Sequence, residues 1–119
     1  MATLAAKQIQ SVGDSIVYAG GVGVNDNDVV VQTGDVRIFD TFMVTTTAGV
    51  VDVLVTLDGT NYSTAPLSLA DLGGTALEPV LVTVANRVYG FRGSFQGIRV
   101  LQNGATAAEN VTLVCSTNA

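Results

Sequence analysis

Histidine and tryptophan are absent from this 119-residue chain, and cysteine occurs once, as Cys115. Without histidine there is no imidazole base near neutral pH, no Ser-His or Cys-His nucleophile pair and no His-ligated metal. One cysteine permits neither an internal disulfide nor a thiolate zinc cluster. Charge is scarce too: Asp, Glu, Lys and Arg make up 13% of residues, against about 25% in ordinary soluble domains. Five basic side chains stand against ten acidic ones, for a formal net charge of −5. Nucleic-acid binders draw affinity from Lys and Arg against phosphate, so this balance excludes that class of partner. No apolar run approaches the ~20 residues of a membrane helix, so no membrane partner is expected. The opening Met1-Ala2-Thr3-Leu4-Ala5-Ala6-Lys7 has no basic stretch followed by an apolar one, and no secretory signal is expected.

What remains is rich in strand formers. Val, Ile and Thr make up about a third of the chain, and branched side chains suit a pleated surface better than a helix. Mean hydropathy is +0.46, the reverse of a disordered composition. A Ser/Thr/Asn coat is one account of so little charge. Burial of surface against other subunits is the favoured account, because the charge deficit coincides with an excess of Val and Leu.

Turn signals divide the chain into short strands. Residues 1–6 are small and apolar without a period and are expected to form a flexible arm, leaving 7–119 as one domain. Strands are expected at Lys7–Val12, Ser15–Ala19 and Val29–Gln32, with a turn at Gly13-Asp14 and a loop over 20–28. Val36–Thr45 and Val50–Leu57 read as a hairpin turned at Ala48-Gly49. In the second of these, Val51, Val53, Val55 and Leu57 form an inward face opposite Asp52, Leu54 and Thr56, and Asp58-Gly59 turns the chain. Further strands are expected at Thr64–Leu69, Val80–Val84 after Pro79, Asn86–Gly93, Ile98–Val100 and Val111–Cys115, with a loop or helical turn over 70–74. No helical stripe, repeat or linker is present. About eight short strands predict an all-β chain, a single-domain antiparallel β-sandwich or jelly roll.

Few residues suggest chemistry. Asn25-Asp26-Asn27-Asp28 has the oxygens for a hard cation. EF-hand spacing fails, since Val31 and Arg37 stand where Gly and Glu are needed, and a turn-forming loop accounts for the same residues. No metal is assigned. Gly20-Gly21-Val22-Gly23 lacks the Lys-Ser/Thr and the helix of a phosphate loop. Asp52 and Asp58 lie ~20 Å apart along an extended chain, too far for a glycosidase pair. Asn61-Tyr62-Ser63 and Asn110-Val111-Thr112 match the glycosylation sequon, which means little without a secretory signal. No catalytic residue and no cofactor is expected. Arg87, Arg92 and Arg99 lie beside Tyr89, Phe91 and Phe95, a mixture typical of protein interface centres; exposed arginines next to core aromatics are the plain alternative. Cys115 is expected to be a small buried hydrophobe.

Three stretches resemble small structural proteins of tailed bacteriophages. Val51-Asp52-Val53-Leu54-Val55-Thr56-Leu57-Asp58-Gly59-Thr60-Asn61-Tyr62-Ser63 is similar to a strand followed by an Asp-Gly-x-Asn-Tyr/Trp-Ser segment in that group. Arg87-Val88-Tyr89-Gly90-Phe91-Arg92-Gly93 and Ile98-Arg99-Val100-Leu101-Gln102-Asn103-Gly104 complete the likeness, which covers about a quarter of the chain. The resemblance implies a virion component, most like a head decoration (cement) protein with a jelly-roll or related sandwich. Such proteins clamp neighbouring major capsid subunits, often as dimers or trimers. The expected location is then the capsid surface, after synthesis in the host cytoplasm. No capsid-contacting residue is carried over by a motif. The other class kept open is a tail or fibre-associated β-domain that binds a receptor or carbohydrate, or another head–tail component.

Overall fold

Apolar residues at alternate positions, punctuated by Gly, Asn and Asp, give nine strands among the described residues of the computed structural model. It describes residues 7–12 (by their backbone), 15–23, 25–72 and 83–117. The strands are β1 Lys7–Val12, β2 Ser15–Gly20, β3 Val29–Gln32, β4 Thr41–Thr45, β5 Val50–Thr56, β6 Ala70–Asp71, β7 Val88–Arg92, β8 Gly97–Asn103 and β9 Val111–Ser116. A six-stranded sheet has the order β1-β2-β9-β4-β7-β6, and a three-stranded sheet has the order β3-β8-β5. All pairings are antiparallel. The chain is an all-β, two-sheet antiparallel sandwich, as its composition predicts.

From β2 onward the chain passes between the sheets at almost every connection; β6 to β7 is the exception. This overturns the expected hairpin of Val36–Thr45 with Val50–Leu57, because β4 and β5 lie in different sheets. The corner between them is fixed by hydrogen bonds across the fold. Thr46 Oγ1 donates to Ala48 O at 2.7 Å, and Ala48 bridges Glu109. Gly49 takes a φ of 77° where a Cβ would lie 2.9 Å from the carbonyl oxygens of Thr106 and Ala107. Such a turn admits no side chain, and it directs the chain across the core instead of back along its neighbour.

Register then sorts the side chains. On the large sheet, Ile16, Cys115, Phe42 and Phe91 form one inward row, and Tyr18, Leu113, Val44 and Tyr89 form the next. They meet Val51, Val53, Ile98 and Val100 of the small sheet in one core. Phe42 lies on Phe91 with ring centroids 5.2 Å apart, and Phe95 closes the cluster at 5.6 Å from Phe42. Tyr89 keeps its hydroxyl satisfied inside by accepting from the Val84 amide at 2.7 Å.

Several expectations are corrected. Residues 36–40 form a turn, not the start of a strand; Val36 and Phe39 turn inward, and Ile38 stands at the tip, 75% exposed. Leu57 is 74% exposed, while Leu54 and Thr56, expected on the solvent side of β5, are buried. Thr56 is held there by polar bonds, its hydroxyl donating to Asp58 Oδ1 and accepting from the Gly59 amide. Thr64–Leu69 is not a strand, and the expected loop at Ala70-Asp71 is the short edge strand β6. Thr83 and Val84 are irregular. The arm 1–6, the Gly13-Asp14 turn, Gly73-Gly74, Pro79 and the 80–82 part of the Val80–Val84 strand lie outside the described residues.

Candidate interaction surface

The glycine-rich and Asn/Asp segments, which offered the chemistry in the sequence, serve the fold. A Cβ on Gly20 would collide with the Val30 carbonyl, one on Gly21 with the Asn110 amide and one on Gly23 with Gln102 Oε1, so these glycines serve close packing against β3, the 108–111 segment and Gln102. The Val22 amide donates to Ala108 O. Asp26 Oδ1 accepts from the Gly104 amide at 2.9 Å, and Asp28 Oδ2 accepts from the Asn25 amide at 2.9 Å. Beneath them, fully buried Gln102 donates from Nε2 to Gly104 O and accepts at Oε1 from the Ala108 amide. This loop system is a polar clamp at one end of the sandwich.

The Asp58-Gly59 turn is built the same way. Asp58 accepts from the amides of Thr60 and Asn61, both at 2.8 Å, and from Asn61 Nδ2 at 2.7 Å. These donors, with Thr56, hold its carboxyl well below the usual carboxylate range. The turn borders a cavity of about 480 Å³ lined by Leu57, Asn61, Tyr62 and Phe95 among others. Asp35 chelates Arg37 at 2.6–3.0 Å, and Asp52 accepts from Asn103 Nδ2 at 3.1 Å. Cys115 is wholly buried and its thiol is pushed up to about 12 by desolvation. Among the described residues, no group of three or more His, Cys, Asp or Glu side chains gathers to hold a metal.

The residues proposed for an interface separate. Tyr89 and Phe91 are inside the core, 2% and 8% exposed, and Phe95 is half-buried against Phe42. Arg87 pairs with the buried Asp71 carboxylate at 3.1 Å. Arg99 lies on the small sheet, 3.9 Å over the Tyr62 ring, with Nε donating to Gln32 at 3.1 Å. Arg92 alone of the six is exposed on the large sheet without a hydrogen bond or ion pair among the described residues.

What the sequence reading missed is the face behind those aromatics. Register sets three outward rows on the large sheet: Ala19, Thr112, Thr45 and Val88; Val17, Val114, Met43 and Gly90; Ser15, Ser116, Thr41 and Arg92. Arg92 is the one charged residue among these positions of β2, β9, β4 and β7, and at the β1 edge the register sets Lys7 beside Ala19. The signal was legible in β2, β4 and β9, which carry no charge on either face. A strand with one solvated face normally alternates apolar with polar or charged residues.

No protein-family model matches the chain, and no curated protein matches it. Among solved structures it is similar to the SPBc2 prophage-derived protein YomS, with a TM-score of 0.61 at 9% identity over 91% of this chain and 99% of that one. A cupin domain from Bordetella pertussis has a TM-score of 0.51 at 10% identity, over 99% of this chain and 96% of that one. At such identities these likenesses show the fold alone, the jelly-roll-like arrangement of two antiparallel sheets.

Proposed function

We propose that this chain is a non-enzymatic structural protein of a phage particle that decorates the capsid and cements it by bridging major capsid subunits. The outer face of the six-stranded sheet, where Arg92 is the one charged residue in the β2, β9, β4 and β7 rows, carries this reading. Val17, Val114, Met43 and Val88 stand on it among Ser and Thr side chains, and apolar groups gathered on an outer face favour contact with a partner. Burying them against shell subunits releases water and stabilises the assembly. The bacteriophage-like segments around Asp58-Gly59, and the likeness to a prophage-derived protein, support a phage setting. The chemistry supports the absence of catalysis: the core is aliphatic and aromatic, and Asp35, Asp52 and Asp58 are engaged in the fold. A dimer or trimer on the capsid surface is part of the same reading.

A protein that binds the assembled shell and not its free subunits stabilises the shell by mass action. Particles stripped of this chain are expected to keep their shape yet rupture at a lower temperature, and adding it back is expected to restore them. Equal robustness with and without it overturns the reading. The cavity beside Tyr62, Asn61 and exposed Leu57 favours a second reading, a tail-associated receptor or carbohydrate module. Localisation to the tail tip of labelled particles would replace the first reading with the second.

A further inference from the structure

Two grooves flank Met43 on the outer face. One, of about 360 Å³, is lined by Met43, Leu72, Gly90 and Arg92 among others; the other, of about 240 Å³, lies between Met43, Val88, Thr112 and Val114. Gly90 sits directly between Met43 and Ala70 in the register. Glycine inside a strand weakens it and often marks a close approach by a ligand or another backbone. Gly90 is not among the glycines of positive φ, so backbone conformation does not require it. Its missing Cβ lets the Leu72 side chain fold over the strand, since a Cβ there would lie 3.1 Å from Leu72 Cδ1, and Leu72 so placed lines the first groove.

Arg92 ends this groove. The other described arginines are engaged: Arg37 by Asp35, Arg87 by Asp71, and Arg99 by Gln32 and the Tyr62 ring. A cation without a described partner, in a chain of net charge −5, stands beside an apolar trough with no acid in its three rows. Asp40 lies at the rim, where its Oδ1 already accepts from the Thr41 hydroxyl at 3.0 Å. A second copy laid face to face would set uncharged rows against Arg92. We propose that the Met43–Gly90–Leu72 groove docks a segment of a different protein that presents an aliphatic side chain beside an acidic one. The aliphatic group occupies the groove between Met43 and Leu72, and the carboxylate accepts from Arg92. This deepens the capsid-contact reading and rests on it for the setting, though not for the chemistry of recognition.

The test is an NMR titration of the full chain with the peptide acetyl-Ala-Val-Leu-Glu-Val-amide. Saturable shifts are expected at the Met43 and Leu72 methyls and at the amides from Gly90 to Arg92. Replacing the peptide's Glu with Gln, or making Arg92→Gln, is expected to weaken binding about fivefold, the upper end for an exposed ion pair. Gly90→Val is expected to abolish it, and Arg87→Gln to leave it unchanged. Equal binding of the Glu and Gln peptides, shifts elsewhere, or no saturable shift overturns the proposal. So do shifts at the same residues on simple dilution without peptide, which would give the face to a second copy. The Arg92 variant decides the matter if the Gly90 variant does not fold. None of these results depends on whether the chain is found in a particle, so the capsid-contact reading stands or falls separately.

Discussion

The outer faces of the two sheets obey different rules. On the three-stranded sheet, Asp52, Gln32, Arg99 and Asn103 stand outward beside Leu101, with Leu54 buried among them, and the polar groups bond across strands: Arg99 to Gln32, Asn103 to Asp52. That is the pattern of a face at ease in water. On the six-stranded sheet the equivalent positions are Val, Thr, Ala, Met and Ser, with Arg92 at one corner. Both faces cover the same core, so folding alone does not account for the difference. It teaches that the low charge of the chain is not spread evenly but is most marked on the outer face of the six-stranded sheet.

The contrast breaks first at the core beneath both faces. Val53→Asp on the small sheet and Val44→Asp on the large one each bury an uncompensated carboxylate, and both variants are expected to unfold or aggregate. Thr112→Asp, on the outer face of the large sheet, is expected to shift stability by about 1 kcal/mol or less. Circular dichroism melts of the three check the inward and outward assignment; an unfolded Thr112 variant would contradict it. Thr56→Asp, innocuous if β5 alternated cleanly, is expected to destabilise, since Thr56 is buried and bonded to Asp58 and Gly59.

Next comes the polar clamp that joins the loops. Gln102→Leu leaves the buried Ala108 amide and the part-buried Gly104 O without their Gln102 partner. The loss is expected at about 1–3 kcal/mol for each group left unsatisfied. Urea unfolding with an unchanged slope would report it as a pure stability effect.

A smaller effect sharpens the electrostatic side. The Asp58 and Asp35 carboxyls are held below their ordinary pKa by donors present only in the folded chain. A depressed folded-state pKa gives stability that is present above the unfolded value, about 4. That stability is lost as pH falls toward the folded value. The melting temperature is therefore expected to be level from pH 7 to 5 from these groups and to decline below about 4. Asp58→Asn should reduce that decline. A decline already under way at pH 6 would point to other groups. Smallest of all, Cys115 should resist iodoacetamide at pH 8 in the folded chain and react once urea exposes it, because burial keeps it a thiol.

The fold class and most strands were legible in the sequence because alternation and turn residues are local. β2, β3, β5, β7 and β9 fall close to where composition places them. The Val36–Thr45 to Val50–Leu57 pairing was not legible, since a short Gly-containing connection suits a hairpin and a sheet-crossing corner equally. Only the Ala48–Glu109 bridge and the carbonyls of Thr106 and Ala107 decide between them, and these lie about 60 residues away in sequence. The candidate surface was half legible. Arg92 was picked out, but Tyr89 and Phe91 were grouped with it because strand neighbours are adjacent in sequence yet point to opposite faces. The outer face is assembled from β2, β4, β7 and β9, and register is not written in any one of them.

The central claim is that the outer face of the six-stranded sheet is a contact surface in an assembled particle. Cryo-electron microscopy of intact particles that carry this chain tests it most directly. The account predicts the chain on the capsid exterior with Met43, Val114 and Val88 covered by a neighbouring subunit and the Asp52–Arg99 face in solvent. A map in which the chain is on the shell but those positions are reversed, or in which it is absent from the shell, would contradict it.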